Sequence, residues 1–516
     1  MAKEHEVFLN TIFSKNTTKV IVAEKLGKLL CEKFPETTKA NVRKIIENAY
    51  NSGIMKCSKP MTFGNNQYAY FSRKRAITYN LFKSTIKEYK PALYRVITKL
   101  FINGGIISEN EIIRLSGCNI SNTGHATTYE NLLSDLRLLN IVNDINFHNV
   151  HLFYLSKWDK AKALIQLDSY YVKIMNEATM ISLFVNWLRR VNLVDNSVIT
   201  FRGEGNNFRG IEKNGTIWDI FAFSSSLGIF DYEKLKPAII VADCCVYTEY
   251  DTIDFDGFRE RVNRMVFSTK IIKRRVIPII FSSKINPVVI VNAKKQNYLI
   301  VDLNSLFGKE AINIVTEYNN IKFNYDSTIV AQGNNSQQIE SVLSRIEQSS
   351  GGDNYGNLKG DLFEYLMRPV FEKIYPTCRI KHRVLINDGD GKYEIDYLID
   401  NDNEYIAVEL KGYKFQYVIP LGKFETVEGR YESNTVKWFL NRTFPKFKEV
   451  FGKMPNKKVK FSYIISAQFD DKALKVLAQK NCSSEKPEKM NCYYDGITLG
   501  YLLKELALDN EMRILK

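Results

Sequence analysis

The residues best placed to do chemistry are four charged side chains in the last third of the sequence, Glu364, Asp396, Glu409 and Lys411. Asp396 stands between Ile395 and Tyr397, and Glu409 between Val408 and Leu410, in stretches that are otherwise apolar. Acidic groups so placed cost several kcal/mol to desolvate unless something neutralises them, and a bound cation does so directly. Lys411 lies two residues beyond Glu409, so the period of a strand puts both side chains on one face. A carboxylate pair that holds Mg²⁺ beside an ammonium is what phosphodiester hydrolysis requires. The metal polarises a phosphate oxygen and activates a water, while the lysine orients that water or stabilises developing charge.

These residues need a scaffold, and the pattern around them supplies one. Residues 357–374 carry apolar positions at helical spacing, with Glu364 near the helix start and Pro369 expected to kink it. Residues 393–399 (YEIDYLI) and 405–410 (YIAVEL) read as strands joined through Asn401-Asp402-Asn403, hence as an antiparallel hairpin. A helix is expected over 435–451, a strand over 459–466, a helix over 471–479 and another over 499–506. In this order and at these residues the region resembles the PD-(D/E)xK nuclease superfamily, the restriction-endonuclease-like fold. The resemblance implies an α/β sandwich over 351–516. In it Asp396, Glu409 and the backbone carbonyl of Leu410 bind the metal, Lys411 is catalytic and Glu364 completes the acidic site. Mg²⁺ is the implied cofactor, with Mn²⁺ as a substitute. Ile395 stands where the family often has proline.

The stretch 158–330 reads as an α/β domain, with a helix at 178–190, strands at 216–223, 237–246, 276–281 and 288–291, and a helix at 258–267. Trp218-Asp219-Ile220 is similar to the aspartate strand, and Asp243-Cys244-Cys245 stands where Glu-x-Lys would, with cysteine in place of lysine. The two acids are separated by 243 − 219 = 24 residues against 409 − 396 = 13. A degenerate nuclease-like domain without hydrolysis is expected, against an unrelated α/β sandwich. Residues 332–350, rich in Gln, Asn and Ser and carrying a short helix, close on Gly351-Gly352 and read as a domain boundary.

Residues 1–75 and 76–157 each read as a winged helix. In the first copy the third helix would present Lys39, Asn41, Arg43 and Lys44 to duplex DNA. In the second copy Thr127, Thr128, Asn131 and Arg137 stand among Glu130 and Asp135, which would repel phosphates. Either copy could instead be a protein adaptor or spacer. The cluster Lys270, Lys273, Arg274 and Arg275 fits a nucleic-acid channel or a solvated face equally. Asp388-Gly389-Asp390-Gly391 lacks the trailing glutamate of a calcium loop and reads as a tight connection.

A length of 516 residues allows three to five domains at roughly 100–200 residues each, and 45% hydrophobic content excludes a disordered chain. The net charge of +15 favours polyanionic partners. Eight cysteines without a C-x-x-C pair suit a reducing compartment, and the charged first ten residues are unlike a signal peptide. The expectation is therefore a multidomain α+β and α/β protein of the cytoplasm: a Mg²⁺-dependent DNA endonuclease of bacterial restriction or anti-phage defence. It would act as a homodimer or with partner proteins. A strand-cutting subunit of a mobile element is a variant of this reading. The alternative from another class is a nucleic-acid-binding sensor or scaffold that uses a nuclease fold without catalysis.

Overall fold

Residues 3–155 of the computed structural model build one small pattern twice. The first copy runs α1 (Lys3–Lys15), β1 (Val20–Val22), α2 (Ala23–Lys33), α3 (Lys39–Asn51), β2 (Met55–Cys57) and β3 (Ala69–Ser72), with antiparallel sheet order β1-β3-β2. After α4 (Tyr79–Tyr89) the second runs α5 (Pro91–Ile102), β4 (Ile106–Ser108), α6 (Glu109–Ser116), α7 (Tyr129–Leu138), β5 (Val142–Phe147) and β6 (Val150–Leu155), with order β4-β6-β5. Polar caps start the helices: Thr38, Ser108 and Thr128 each accept from the backbone N–H three residues on, and Glu111 closes a capping box on Ser108. The structure describes the whole chain except residues 1–2, 121–127, 196–198, 227–235, 270–273, 327–334, 389–390, 426–429, 434, 454–455 and 516.

The chain divides into two compact units, Met1–Ser305 and Leu306–Lys516. The first continues with α8 (Lys160–Arg190), β7 (Ile199–Phe201), a small ribbon of β8 (Ile211–Lys213) and β9 (Thr216–Trp218), β10 (Ile220–Ser224), β11 (Ala238–Cys245), α9 (Thr252–Thr269), β12 (Val276–Ser282), α10 (Pro287–Lys295) and β13 (Leu299–Asp302). The sheet order is β7-β10-β11-β12-β13, antiparallel up to β11 and parallel thereafter. Helix α9 crosses α6 at Gly257, where a Cβ would lie 2.6 Å from the carbonyl oxygens of Arg114 and Leu115. The second small pattern and the α/β sheet therefore share one unit. Residues 288–291, expected as a strand, lie in α10: Asn286 caps Val288 and Pro287 occupies the first turn, and this start signal outweighs the β-branched run.

Helix α11 (Leu303–Phe307) carries the chain past the division. The second unit then runs α12 (Ala311–Asp326), α13 (Asn335–Gln348), α14 (Gly356–Ile374), β14 (Arg379–Asp388), β15 (Gly391–Asp400), β16 (Glu404–Lys411), β17 (Val418–Ile419), β18 (Phe424–Glu425) and β19 (Arg430–Tyr431). Next come α15 (Val436–Trp438), α16 (Phe444–Phe451), β20 (Lys458–Ile465), β21 (Gln468–Phe469), α17 (Asp471–Asn481), β22 (Tyr493–Tyr494), α18 (Gly496–Glu505) and α19 (Asp509–Leu515). Its sheet, β14-β15-β16-β20-β22, is also antiparallel for three strands and parallel for the rest. Cores of Phe439, Phe461 and Tyr463 on one face and Phe363, Phe371 and Tyr397 on the other bury it between helices.

The division differs from the expected boundary at Gly351-Gly352. That pair is not a linker: a Cβ on Gly351 would lie 2.2 Å from the Leu306 carbonyl oxygen, so glycine there lets the chain pack against the end of α11. Helix α14 also runs through Pro369 without a break. Proline leaves the carbonyl four residues earlier without its donor, and the Tyr325 hydroxyl supplies one to Tyr365 O. The chain is mixed α and β throughout, and among the described residues no helix is long and apolar enough to cross a membrane.

Candidate active site

Asp396 and Glu409 come together because β15 and β16 pair in the register that sets Tyr397 opposite Val408. One step further along that register, Asp396 faces Glu409. The Leu410 N–H donates to Asp396 Oδ2 at 2.6 Å, and Lys411 Nζ lies 2.7 Å from Glu409 Oε1. Three of the four expected residues thus share one patch, at the end of β16 and in the middle of β15, where the pairing of the two strands stops. The charges there do not balance. Burial pushes the Asp396 carboxyl well above its ordinary range, the neighbouring Glu409 and Glu364 charges push it further, and Lys411 with the Leu410 amide offsets only part of this. Burial works against the Lys411 ammonium too, but Glu409 and Asp396 outweigh it and hold the amine firmly protonated.

Glu364 stands apart in its bonding. On α14 it accepts from His382 Nε2 at 2.8 Å and from Arg383 Nε at 3.1 Å, and Arg383 also pairs with Asp361. Desolvation would raise its carboxyl, but the His382 hydrogen bond and the Arg383 charge win and hold it below the ordinary range. Arg383 lies on β14 opposite Asp396 in register, and its left-handed backbone (φ 52°) interrupts the pairing there. Neither His382 nor Arg383 stood out in the sequence. Their signal is a basic run, Lys381-His382-Arg383, inside a strand, next in the sheet to an acid-bearing one. Among the described residues no group of three or more His, Cys, Asp or Glu is placed to hold a metal ion, and the Glu364 carboxylate is engaged by His382 and Arg383.

The first unit repeats the arrangement with different occupants. The pairing of Ile220 with Ala242 carries Asp219 opposite Asp243, and the Cys244 N–H donates to Asp219 Oδ2 at 2.7 Å, as Leu410 does to Asp396. Glu177 on α8 pairs with Arg202 at 2.7 Å, as Glu364 pairs with Arg383. Arg202 also reaches Asp219 at 2.6 Å, Arg114 from α6 lies 3.0 Å from Asp219 and 2.9 Å from Asp243, and Arg261 from α9 lies 2.9 Å from Asp243. The Arg114 Nε contact is an ion pair whose N–H does not point at the oxygen. Five charged side chains are buried together here, with three arginines facing two carboxylates. Burial works against Asp219, but Arg114 and Arg202 outweigh it and hold its carboxyl below the ordinary range. Cys245, where lysine would stand, is a buried thiol pushed up to about 12 by desolvation. The sequence matched Asp219 and Asp243 to the second unit's acids; the arginines that neutralise them escaped it.

In the first small pattern Lys39, Asn41, Arg43 and Lys44 are all exposed on α3, and none of the three cations is in an ion pair among the described residues. In the second, Thr128 is buried as the cap of α7, Asn131 and Arg137 are exposed, and Arg137 lies 3.6 Å from Asp144. Asp135 does not face outward as expected: it is buried against Lys90. Thr127, Lys270, Lys273, Gly389 and Asp390 lie outside the described residues.

The chain matches no protein-family model, no curated protein and no solved structure.

Proposed function

We propose that this chain is a divalent-metal-dependent nuclease that hydrolyses phosphodiester bonds in DNA, with its reaction centre at Asp396, Glu409 and Lys411. The observation that carries this reading is the contrast between two sheets of one topology. In the first unit the facing acids are neutralised by arginines. In the second the facing acids share one lysine, and no ion pair reaches Asp396 among the described residues. A buried carboxylate left so close to another is stabilised by a small, highly charged cation. Two carboxylates suit Mg²⁺, which keeps several of its waters.

Bound by Asp396 and Glu409, with the Leu410 carbonyl that the family resemblance adds, Mg²⁺ or Mn²⁺ would polarise a phosphate oxygen and lower the pKa of a coordinated water. The chain's own residues do the rest. Glu409 fixes the Lys411 ammonium, which stays protonated and meets negative charge developing on the phosphate. The Leu410 amide orients Asp396, and Tyr397 Oη, donating to the Glu364 carbonyl oxygen at 3.0 Å, ties α14 to the strand that bears Asp396. Glu364, held by His382 and Arg383, acts on the site through its charge.

The small patterns at 1–75 and 76–157 are winged-helix-like modules in this reading, with α3 supplying duplex contacts. The α/β part of the first unit is a nuclease-like sheet that binds or braces and does not hydrolyse, because its cation positions are filled by arginine. Bacterial defence or a mobile element is the setting inferred by analogy. Calorimetric titration of Mn²⁺ tests the core of the proposal. Wild type should take up the ion at a site that Asp396→Asn and Glu409→Gln each abolish and Asp219→Asn does not. Uptake unaffected by the first two variants would remove the proposed centre.

A further inference from the structure

Directly after Lys411 the chain carries a feature that the acid-lysine centre does not use. From Lys411 to Phe424 there are three lysines (Lys411, Lys414, Lys423), four aromatic residues (Tyr413, Phe415, Tyr417, Phe424) and no carboxylate. Most of these side chains face solvent: Phe415 is 43%, Tyr417 52% and Phe424 49% exposed, and Lys414 and Lys423 are exposed without an ion pair among the described residues. A single exposed ring is ordinary, but rings gathered on one surface strip are the kind of patch that marks an interaction site.

The strip is fixed rather than loose. Tyr413 exchanges two hydrogen bonds with the Ser466 side chain, the Tyr417 carbonyl accepts from Gln468 N at 3.0 Å, and β17 pairs with β21. Gly412 lets it leave β16 past α14, since a Cβ there would lie 2.6 Å from that of Phe363. Phe415 packs on the backbone of Gly496 at the start of α18. Tyr413 stacks on Tyr417 with centroids 4.8 Å apart, and its phenol is close enough to Lys411 and Glu409 to feel both charges. Tyr413, Phe415 and Tyr417 therefore begin beside Lys411 and run past the ends of β16 and β20, while Phe424 packs edge-on against Tyr431 of β19.

We propose that residues 413–424 form a stacking platform for unpaired nucleobases, so that the strand reaching Lys411 is single-stranded over the nucleotides beside the site. The proposal rests on the nuclease reading for its substrate class. Positive charge without a carboxylate suits a polyanion, and flat rings suit the faces of bases, which a closed duplex hides in its stack. An apolar protein segment would use the rings but not the lysines.

The test uses the full chain in EDTA, so that binding is read without cleavage. Anisotropy of fluorescein-labelled oligothymidylate of about 16 nucleotides is compared with that of a blunt hairpin duplex. Wild type should prefer the single strand at the platform. Phe415→Ala and Tyr417→Ala should each weaken single-strand binding about tenfold, leave duplex affinity and the salt slope unchanged, and Tyr417→Phe should restore wild-type affinity. Equal loss on both probes, or no loss, overturns the platform, and a wild type that binds no single strand does the same. The two readings fail separately. Metal-dependent cleavage with unchanged binding by the alanine variants leaves the nuclease and removes the platform, whereas selective stacking with no cleavage under any metal does the reverse.

Discussion

Replacing each aspartate of the two matched sheets by asparagine should have opposite consequences for stability, and the structure gives the signs. Asp219 is fully buried and holds Arg202 at 2.6 Å and Arg114 at 3.0 Å. Asp219→Asn leaves a buried arginine excess, and removing one partner of a buried ion pair costs about 3–5 kcal/mol. Asp396 has a neighbouring carboxylate and no ion pair with an arginine among the described residues, since Arg383 across the sheet is engaged by Glu364 and Asp361, and burial already disfavours its charge. Asparagine retains an oxygen for the Leu410 amide and removes the repulsion, so Asp396→Asn should leave the metal-free unit unchanged or gain up to about 2 kcal/mol. Hydrogen exchange read by mass spectrometry reports both sites within the intact chain, where a single global unfolding curve would mix two units. Exchange across β10 and β11 should accelerate roughly 10²- to 10⁴-fold in Asp219→Asn. Exchange across β15 and β16 should hold or slow in metal-free Asp396→Asn. A comparable acceleration at both sites would show that Asp396 is as well neutralised as Asp219, and the argument for a missing cation would collapse.

Lys411→Ala removes the charge proposed to meet the phosphate and leaves Asp396 and Glu409, so cleavage in a single-turnover assay should fall about 10²- to 10³-fold with little change in DNA affinity. Arg43→Ala together with Lys44→Ala should weaken duplex binding and flatten the log-log salt dependence by roughly 1.8, about 0.9 for each lost phosphate contact; titrations at several salt concentrations read both quantities, and identical slopes would assign α3 to a protein partner. Asp243→Ala is a folding lesion, because Arg114 and Arg261 lose their shared carboxylate; exchange in the first unit should accelerate while that in β15 and β16 stays unchanged. Saturating Mn²⁺, at about 100 times its Kd, should protect the second unit by about 2.7 kcal/mol, and Glu409→Gln should erase that protection.

The meeting of Asp396, Glu409 and Lys411 was legible because local pattern controls it. Asp396 and Glu409 interrupt apolar strands, and Lys411 follows at the two-residue period, so the hairpin register alone brings them together. The same logic matched Asp219 to Asp243 despite their different spacing. What neutralises those acids was not legible, since Arg114 sits 219 − 114 = 105 residues earlier on a helix of another pattern and meets Asp219 only through the crossing at Gly257. His382 and Arg383 were missed for a different reason. β14 alternates poorly, and the left-handed backbone that turns Arg383 toward Glu364 has no sequence marker. The division after Ser305 was hidden by composition: the short helix read within the polar residues 332–350 is α13, but its Ile339, Val342 and Ile346 are buried, which the Gln, Asn and Ser content around them does not announce. At 288–291 the cue was present in Asn286 and Pro287, and β propensity overrode it.

The central claim is that the second unit cuts DNA with a metal held at Asp396 and Glu409 and a charge held at Lys411. Conversion of supercoiled plasmid to nicked or linear forms by purified full-length protein tests it most directly, in Mg²⁺, in Mn²⁺ and in EDTA, with Asp396→Asn and Lys411→Ala in parallel. The account predicts cutting by wild type with either ion, none in EDTA, none above background by Asp396→Asn, and cutting slowed about 10²- to 10³-fold by Lys411→Ala. Cutting that persists in EDTA, or that Asp396→Asn performs at the wild-type rate, would contradict it.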